Sequence, residues 1–172
     1  MNLDKFNNQF DRFILPGFIV LLTFFALTSF YNLTLQLDDL IKIEGEVYDI
    51  RIVKERTVKG RIRDNFYVFL NTGERFKIMD DGLFERYRQN IMNQVNRGNR
   101  VTIYKRTDIQ TAFGLGTSNL IYQLDYNGET LMPLSVMKTN FRTLCIVFTA
   151  ILAILITGQV IKSRKKATDN RR

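Results

Sequence analysis

Polar and apolar positions divide this chain into a helix–domain–helix pattern. Two long stretches, Phe13 to Leu37 and Thr143 to Ile161, contain no Asp, Glu, Lys or Arg. Each is long enough to cross a bilayer as a helix, which takes about 20 mostly apolar residues. We therefore predict one transmembrane helix over 13–37 and another over 143–161, with a polar domain over 38–142 between them.

The first apolar stretch has a rival interpretation as a cleavable signal peptide. Its apolar run is longer than the roughly 7–15 residues of a signal core, and the residues before it carry no net charge. These features favour a retained helix. Residues 1–12, with Phe6 and Phe10 on one helical face, are either a segment lying in the headgroup region or an irregular polar terminus.

The distribution of Lys and Arg predicts the orientation. The formal net charge is +8, and the tail 162–172 holds six basic residues and one acid. Because Lys and Arg are enriched on the cytoplasmic side of membrane helices, we predict that both termini and the basic tail are cytoplasmic. Residues 38–142 are then extracytoplasmic, and we expect an integral protein of the bacterial cytoplasmic membrane in contact with membrane lipids.

Small residues on the second apolar stretch form a candidate helix-packing face. Ala150, Ala153 and Thr157 share one side of the helix, and small side chains let membrane helices approach closely. We predict that this face packs against the first helix or against another copy of the chain. The alternative is that these residues are only typical of membrane helices.

The middle segment alternates in the manner of β-strands. Ile41 to Lys54 alternates with one change of phase, which predicts a long strand with a bulge near Gly45. The turns Asn71-Thr72-Gly73 and Asn127-Gly128 predict two hairpins, the second with a type I′ turn. These hairpins predict the opposed pairs Val68 with Phe76, Phe66 with Ile78, and Leu124 with Leu131.

One helix interrupts the predicted strands. Apolar residues recur at helical spacing at Phe84, Tyr87, Ile91 and Val95. Asp80 or Asp81 can cap its start, and Gly98 can end it. We therefore predict an α+β membrane protein, in which two transmembrane helices flank a small, mainly-β barrel of the OB or SH3-like kind with one helix. Closure as a barrel would remove the exposed edges of so small a sheet.

Three runs carry a resemblance to a family. They are Ile43-Glu44-Gly45-Glu46-Val47, Tyr67 to Ile78 with its Gly73 turn, and Arg97 to Tyr104. They resemble small bacterial membrane-anchored β domains of unknown function that open with G-x-V and end with G-x-x-V-x-V-Y, with Ile103 in place of the second Val. The resemblance implies a membrane-anchored β domain and brings no catalytic residues. The helix at 83–95 and the hairpin at 120–134 depart from the pattern.

The densest run of basic residues is the candidate binding site. It consists of Arg51, Lys54, Arg56, Lys59, Arg61 and Arg63. Such a run can bind an acidic partner surface, anionic lipid headgroups or a polyanion, and the alternative is the solvated face of a hairpin. The nearby Phe66, Tyr67 and Phe69 suggest a nucleic-acid surface, but the predicted extracytoplasmic location argues against nucleic acid.

Candidate catalytic chemistry is sparse. The chain has no histidine, which is the commonest general base and metal ligand. Its single cysteine, Cys145, lies in the second apolar stretch. The glycine-rich loop Phe113 to Ser118 lacks the lysine of a P-loop. We predict no enzymatic activity, no cofactor, no metal and no small-molecule substrate, with a hydrolase that uses Asp and Glu as the alternative.

These features define three function hypotheses. The first is a membrane-anchored interaction module, a subunit or accessory factor of a bacterial envelope complex. Its β domain and its helices would contact a protein partner or a second copy of the chain. The second is an immunity or inhibitor protein that neutralises a membrane-active toxin. The third is a protein that binds anionic lipid or another polyanion.

Overall fold

The computed structural model describes residues 14–56, 60–79, 82–113 and 117–169. These residues belong to two compact units, one within 1–33 and 140–172 and the other Thr34–Thr139. Four sequence predictions fall outside the described residues: the segment 1–12, the caps Asp80 and Asp81, the basic residue Lys59, and residues 114–116 of the glycine-rich loop.

The described chain is α+β. In chain order its elements are α1 (Leu15–Thr34), a 3-10 helix (Leu37–Asp39), β1 (Ile41–Arg56), β2 (Ile62–Leu70), β3 (Arg75–Ile78), α2 (Gly82–Gln94), β4 (Arg100–Lys105), α3 (Asp108–Phe113), β5 (Gln123–Tyr126), β6 (Glu129–Met132) and α4 (Leu134–Asp169).

In the helical unit, α1 and α4 are long and apolar enough to cross a membrane, judged by length and composition. The candidate spans are Leu15–Thr34 and Leu134–Arg164. Core helices of water-soluble proteins and signal sequences also meet this criterion, but none of the apolar window of α4 is buried. The two helices touch where the rings of Phe25 and Phe148 stack, with their centroids 5.5 Å apart.

In the other unit, six strands form one antiparallel sheet in the order β3-β2-β1-β4-β5-β6. β1 is central, since its residues 41–46 pair with β4 and its residues 47–56 pair with β2. The predicted closed barrel is therefore corrected to an open sheet. Only an isolated parallel bridge between Lys77 and Leu120 links β3 to the chain entering β5 among the described residues. A single bridge cannot replace the continuous ladder that closes a barrel.

The predicted bulge in β1 lies three residues beyond its expected position. The pairing of β1 with β2 shifts register between Val47 and Asp49, so that Tyr48 is the extra residue. Gly45 pairs regularly with Val101. A Cβ atom at Gly45 would lie 2.6 Å from Cδ1 of Leu70, so glycine serves close packing at this position and not the bulge.

The hairpin predictions are confirmed with one exception. Val68 pairs with Phe76 and Phe66 pairs with Ile78, as predicted. Asn127 and Gly128 have φ values of 52° and 81°, as a type I′ turn requires. The exception is Leu124, which pairs with Met132 and not with Leu131, because the register shifts between Leu124 and Asp125 and leaves Leu131 as an extra residue of β6.

The predicted helix is confirmed as α2, in which Phe84 and Ile91 are buried and Tyr87 is half-buried; Val95, just after its end, is also buried. Gly98 does not end it, because the helix stops at Gln94 and the N–H of Gly98 donates to the carbonyl of Val47.

The expectation of a single helix in the domain is wrong, since α3 is a second one. Its start is a capping box in which the Thr107 Oγ1 accepts from the N–H of Gln110 and the Gln110 side chain accepts from the N–H of Thr107. Thr-x-x-Gln is a signal that the sequence carries.

Candidate functional site

The β1–β2 hairpin changes character along its length. β3 pairs with β2 only from Phe66 to Phe69, and β4 pairs with β1 only up to Glu46. Residues 53–56 and 62–65 therefore pair with each other alone among the described residues, and we call them the distal ribbon. The proximal hairpin, 47–52 and 66–70, is continuous with the rest of the sheet.

The predicted basic site does not form one surface. Directly opposed residues of an antiparallel pair share a face, and neighbours along a strand alternate. Glu55 opposes Arg63, so Arg51 and Arg63 lie on one face. Lys54 and Arg56 lie on the other face, opposite Asp64 and Ile62. Arg61 precedes β2.

Arginines and aromatic rings form a layer on the first of these faces. We call Arg51, Tyr67, Phe69 and Arg75 the cation–aromatic face. The Cζ of Arg51 lies 4.7 Å from the centroid of the Phe69 ring, and that of Arg75 lies 5.6 Å from the centroid of the Tyr67 ring. The two rings are 5.9 Å apart. Rings at this range attract and orient a guanidinium without cancelling its charge.

A carboxylate on the same face is already engaged. The Glu55 carboxylate accepts hydrogen bonds from Asn65 Nδ2 at 2.7 Å and from the Tyr67 hydroxyl at 2.8 Å. Burial is the main cause that raises the pKa of Tyr67, and the hydrogen bond to Glu55 raises it further. The phenol therefore stays protonated and continues to donate. Glu55 is thus held by neutral donors, and the neighbouring guanidiniums keep their charge for an external anion.

A hollow of about 460 Å³ lies beside the proximal hairpin. It is lined from β1 by Tyr48, Asp49, Ile50 and Arg51, and from the end of α2 and the following loop by Met92, Val95, Asn96 and Arg97. The Cζ of Arg97 lies 4.7 Å from the centroid of the Tyr48 ring. Arg51 also faces Asp49, with Nε 3.4 Å from Oδ2. The hollow therefore brings together two guanidiniums and one carboxylate.

One edge of β1 borders this hollow. The N–H and C=O of Val47 bond to Asn99 and Gly98, in the loop that leads into β4. Beyond the bulge at Tyr48 no described strand continues that side, because the β4 ladder stops at Glu46. The segment Asp49–Arg56 is thus paired on one edge only, and every second residue directs its backbone groups away from β2.

A second hollow of about 500 Å³ lies between α2 and β6. Its lining includes Gln89, Asn90 and Asn93, and one cation, Arg86. Two of these amides already bond to neighbouring side chains of α2, Gln89 to Glu85 and Asn90 to Gln94. Its single cation compares with two in the lining of the first hollow.

The predicted small-residue face on α4 is exposed. Ala150, Ala153 and Thr157 are all exposed, whereas Cys145, Phe148, Leu152 and Leu155 form the half-buried stripe of the helix. This stripe contains Phe148, whose ring stacks on that of Phe25 in α1. Packing of the small face against another chain stays a prediction.

The carboxylate of Glu44 in β1 is held by two ion pairs. Glu44 pairs with Lys42 at 2.6 Å and with Arg100 at 3.2 Å. The hydrogen bond and charge of Lys42 lower the pKa of Glu44. Among the residues that the structure describes, no three His, Cys, Asp or Glu side chains are grouped so that they could hold a metal ion.

Two of the site arginines were not selected from the sequence. Arg75 could have been found, because the predicted pairing of Val68 with Phe76 places it opposite Phe69. Arg97 could not, because its contact with Tyr48 depends on the bulge and on where α2 ends. Comparison with protein-family models finds no match, and comparison with curated proteins finds no significant similarity.

Proposed function

We propose that this chain is a membrane-anchored binding protein, a subunit or accessory factor of a bacterial envelope complex. In this proposal α1 and α4 span the cytoplasmic membrane and the β unit lies on the extracytoplasmic side. Support comes from the two apolar helices that precede and follow the β unit in the chain, and from the basic tail. The exposed apolar side chains of α4, such as Ile146 and Ile154, suit contact with lipid.

The cation–aromatic face carries the binding proposal. Arg75 has no acidic partner among the described residues, and the ring of Tyr67 orients its guanidinium. Arg51 lies over Phe69, and its guanidinium Nε is 3.4 Å from Oδ2 of Asp49. Such oriented guanidiniums suit carboxylates, since each can donate two parallel hydrogen bonds. We infer that the partner presents an acidic protein segment.

The fold class can be narrowed in the same proposal. We interpret the β unit as a partly open OB-type barrel, because β1 is shared between β2 and β4, and the bridge from Lys77 to Leu120 brings the chain entering β5 against β3. OB-type barrels bind ligands on the face of strands two and three, where Tyr67, Phe69 and Arg75 lie.

A second candidate function, binding to anionic lipid, is favoured by one observation. Ile52 and Ile62 are 54% and 66% exposed on the face that carries Lys54 and Arg56. Apolar and basic side chains on one surface are typical of segments that insert at the membrane interface. The distal ribbon would then rest on the headgroups while the cation–aromatic face remains free.

The topology can be tested by labelling. Cysteines introduced singly at Asn71 and Ser163, in a Cys145→Ala background, are treated in intact cells with a membrane-impermeant maleimide. We expect labelling at position 71 in intact cells and at position 163 only after permeabilisation. Labelling of position 71 only after permeabilisation would overturn the extracytoplasmic assignment.

The partner proposal is tested by charge reversal. Full-length protein with Arg51→Glu and Arg75→Glu is cross-linked in native membranes and purified in detergent. We expect loss of cross-linked partners, whereas the matched control Arg86→Glu, an exposed arginine of α2, keeps them. An unchanged set of cross-linked proteins would contradict the assignment of this face.

The lipid alternative has a separate readout. Hydrogen exchange of residues 52–56 is compared for the full chain in nanodiscs of zwitterionic lipid and in nanodiscs containing anionic lipid. Slower exchange with anionic lipid, abolished by Lys54→Glu with Arg56→Glu, would support it. Equal exchange in the two lipids would exclude it.

A further inference from the structure

The hollow beside β1 combines an unpaired strand edge with a cation. From Tyr48 onward, no described strand pairs with β1 on its β4 side. Arg97 lines the hollow together with that edge, and its guanidinium lies over the Tyr48 ring. An unpaired edge offers backbone N–H and C=O groups that an extended peptide can pair with.

The charges of the hollow select the kind of peptide. Arg97 forms no ion pair within the described residues, and the carboxylate of Asp49 is 3.4 Å from Arg51. Lys54 and Arg56 follow on the same edge of β1 and are exposed. The surroundings of the edge are therefore cationic, and an incoming strand with Asp or Glu would be complementary.

The apolar residues of the hollow add a second requirement. Met92 is 44% exposed and Ile50 is half-buried, so both present apolar surface to a strand laid between them. In a bound strand alternate side chains point to opposite sides. A peptide that alternates acidic with aliphatic residues would place its carboxylates toward Arg97 and its aliphatic side chains on Met92.

We propose that the hollow is a binding site for an extended acidic peptide of the partner, which pairs with the edge of β1 over Asp49–Ile52 and places a carboxylate at Arg97. The inference rests on the proposed function and names the form in which the partner binds. It differs from binding across the cation–aromatic face, because the backbone of β1 takes part.

A second copy of the chain is a poorer occupant of this edge. Antiparallel pairing of two β1 edges about a two-fold axis would bring Arg51, Lys54 and Arg56 of one copy close to the same residues of the other. Like charges opposed across a strand pair destabilise it, and edge lysines and arginines are a common means of preventing such pairing.

The proposal is tested by peptide selection on the full-length protein in detergent. Random dodecapeptides displayed on phage are selected on the wild type, and the enriched sequence is synthesised. We expect enrichment of Asp and Glu alternating with aliphatic residues. Arg97→Ala should weaken binding of the synthetic peptide at least tenfold and Arg97→Lys less, whereas Arg86→Ala should leave it unchanged. Thermal unfolding of each variant checks that it is folded.

Backbone methylation tests the pairing itself. Two versions of the peptide carry N-methyl groups at either the odd or the even positions. Pairing with one strand edge uses the N–H groups of one parity only. We expect one version to lose binding and the other to keep it. Equal affinity of both versions would overturn the added strand.

The outcomes separate the two proposals. Selection that yields no acidic peptide on the wild type contradicts both. Acidic peptides that bind equally to wild type and Arg97→Ala, but not to Arg51→Glu with Arg75→Glu, would overturn the site in the hollow and leave the cation–aromatic face as the binding surface.

Discussion

The proximal and distal halves of the β1–β2 hairpin belong to one continuous strand pairing and differ in burial. Phe66 and Val68, on one face of proximal β2, are both 0% exposed. Ile62, on the same face of the distal ribbon, is 66% exposed. Neither β3 nor β4 reaches the distal ribbon, so within the described part of the chain its two strands pair only with each other.

The buried residues of the proximal half stabilise the domain, whereas the exposed residues of the distal ribbon are available for binding. The proximal half buries Phe66 and Val68 on one face of β2 and places the cation–aromatic face on the opposite side. The distal half buries little, and an isolated two-stranded ribbon adds little stability by itself. Substitutions in the two halves should therefore affect different measurements.

The largest expected effect is on the core face of the proximal half. Phe66→Ala should lower the free energy of unfolding by about 3–5 kcal/mol, because it empties a fully buried site. The matched distal change Ile62→Ala should cost less than about 0.5 kcal/mol. Urea unfolding in detergent, followed by tyrosine fluorescence, provides the measurement. An equal loss of unfolding free energy in both variants would contradict the difference in burial between the two halves.

The next effect tests the close approach of β1 to β2. Gly45→Ala should cost about 1–3 kcal/mol, since its Cβ would lie 2.6 Å from Leu70 Cδ1. In a Leu70→Ala background the same substitution should cost much less, because the clashing atom is gone. Gly82→Ala, where nothing lies within 4 Å, is the control. Additive losses in the double variant would show that the contact is not the cause.

A smaller effect on stability is expected from the hydrogen bond that joins Tyr67 of the proximal half to Glu55 of the distal ribbon. Tyr67→Phe removes the hydrogen bond to Glu55 and should cost about 1 kcal/mol at pH 8. Because the pKa of Tyr67 is raised on folding, its contribution is complete below the unfolded value of 10.0 and is lost as pH rises through the folded value. The difference between wild type and variant should therefore shrink above pH 10. A difference that stays constant from pH 8 to 11 would contradict this role.

The smallest effect on stability is expected in the distal ribbon. Lys54→Gln with Arg56→Gln should change the free energy of unfolding by less than about 0.5 kcal/mol, since both side chains are exposed and form no ion pair within the described residues. The same urea experiment measures it. A loss above about 1 kcal/mol would mean that the ribbon is packed and not a free surface.

The hairpin turns and the helix α2 could be predicted from residues that lie close together in the chain. The turns at Asn71-Thr72-Gly73 and Asn127-Gly128 specify their hairpins because few residues adopt the required positive φ. The spacing of Phe84, Ile91 and Val95 predicts α2 by the same local argument. The register of the first hairpin would even have placed Arg75 beside Phe69.

Other features depended on contacts between distant segments. The bulge lies at Tyr48 and not at Gly45, because the backbone of Val47 bonds to the loop before β4. The six basic residues could not be assigned to faces until the pairing of β1 with β2 was known. The hollow with Arg97 requires the bulge, the end of α2 and the end of the β4 ladder together.

The sequence by itself determined the two apolar helices, the turns and the strand alternation, since each depends on residues close together in the chain. Only the tertiary structure decided which alternating face became core, where β1 lost its second neighbour and which arginines met aromatic rings. The physical reason is that burial and pairing are set by whichever segment lies alongside, and segments far apart in the chain are brought together only by the completed sheet.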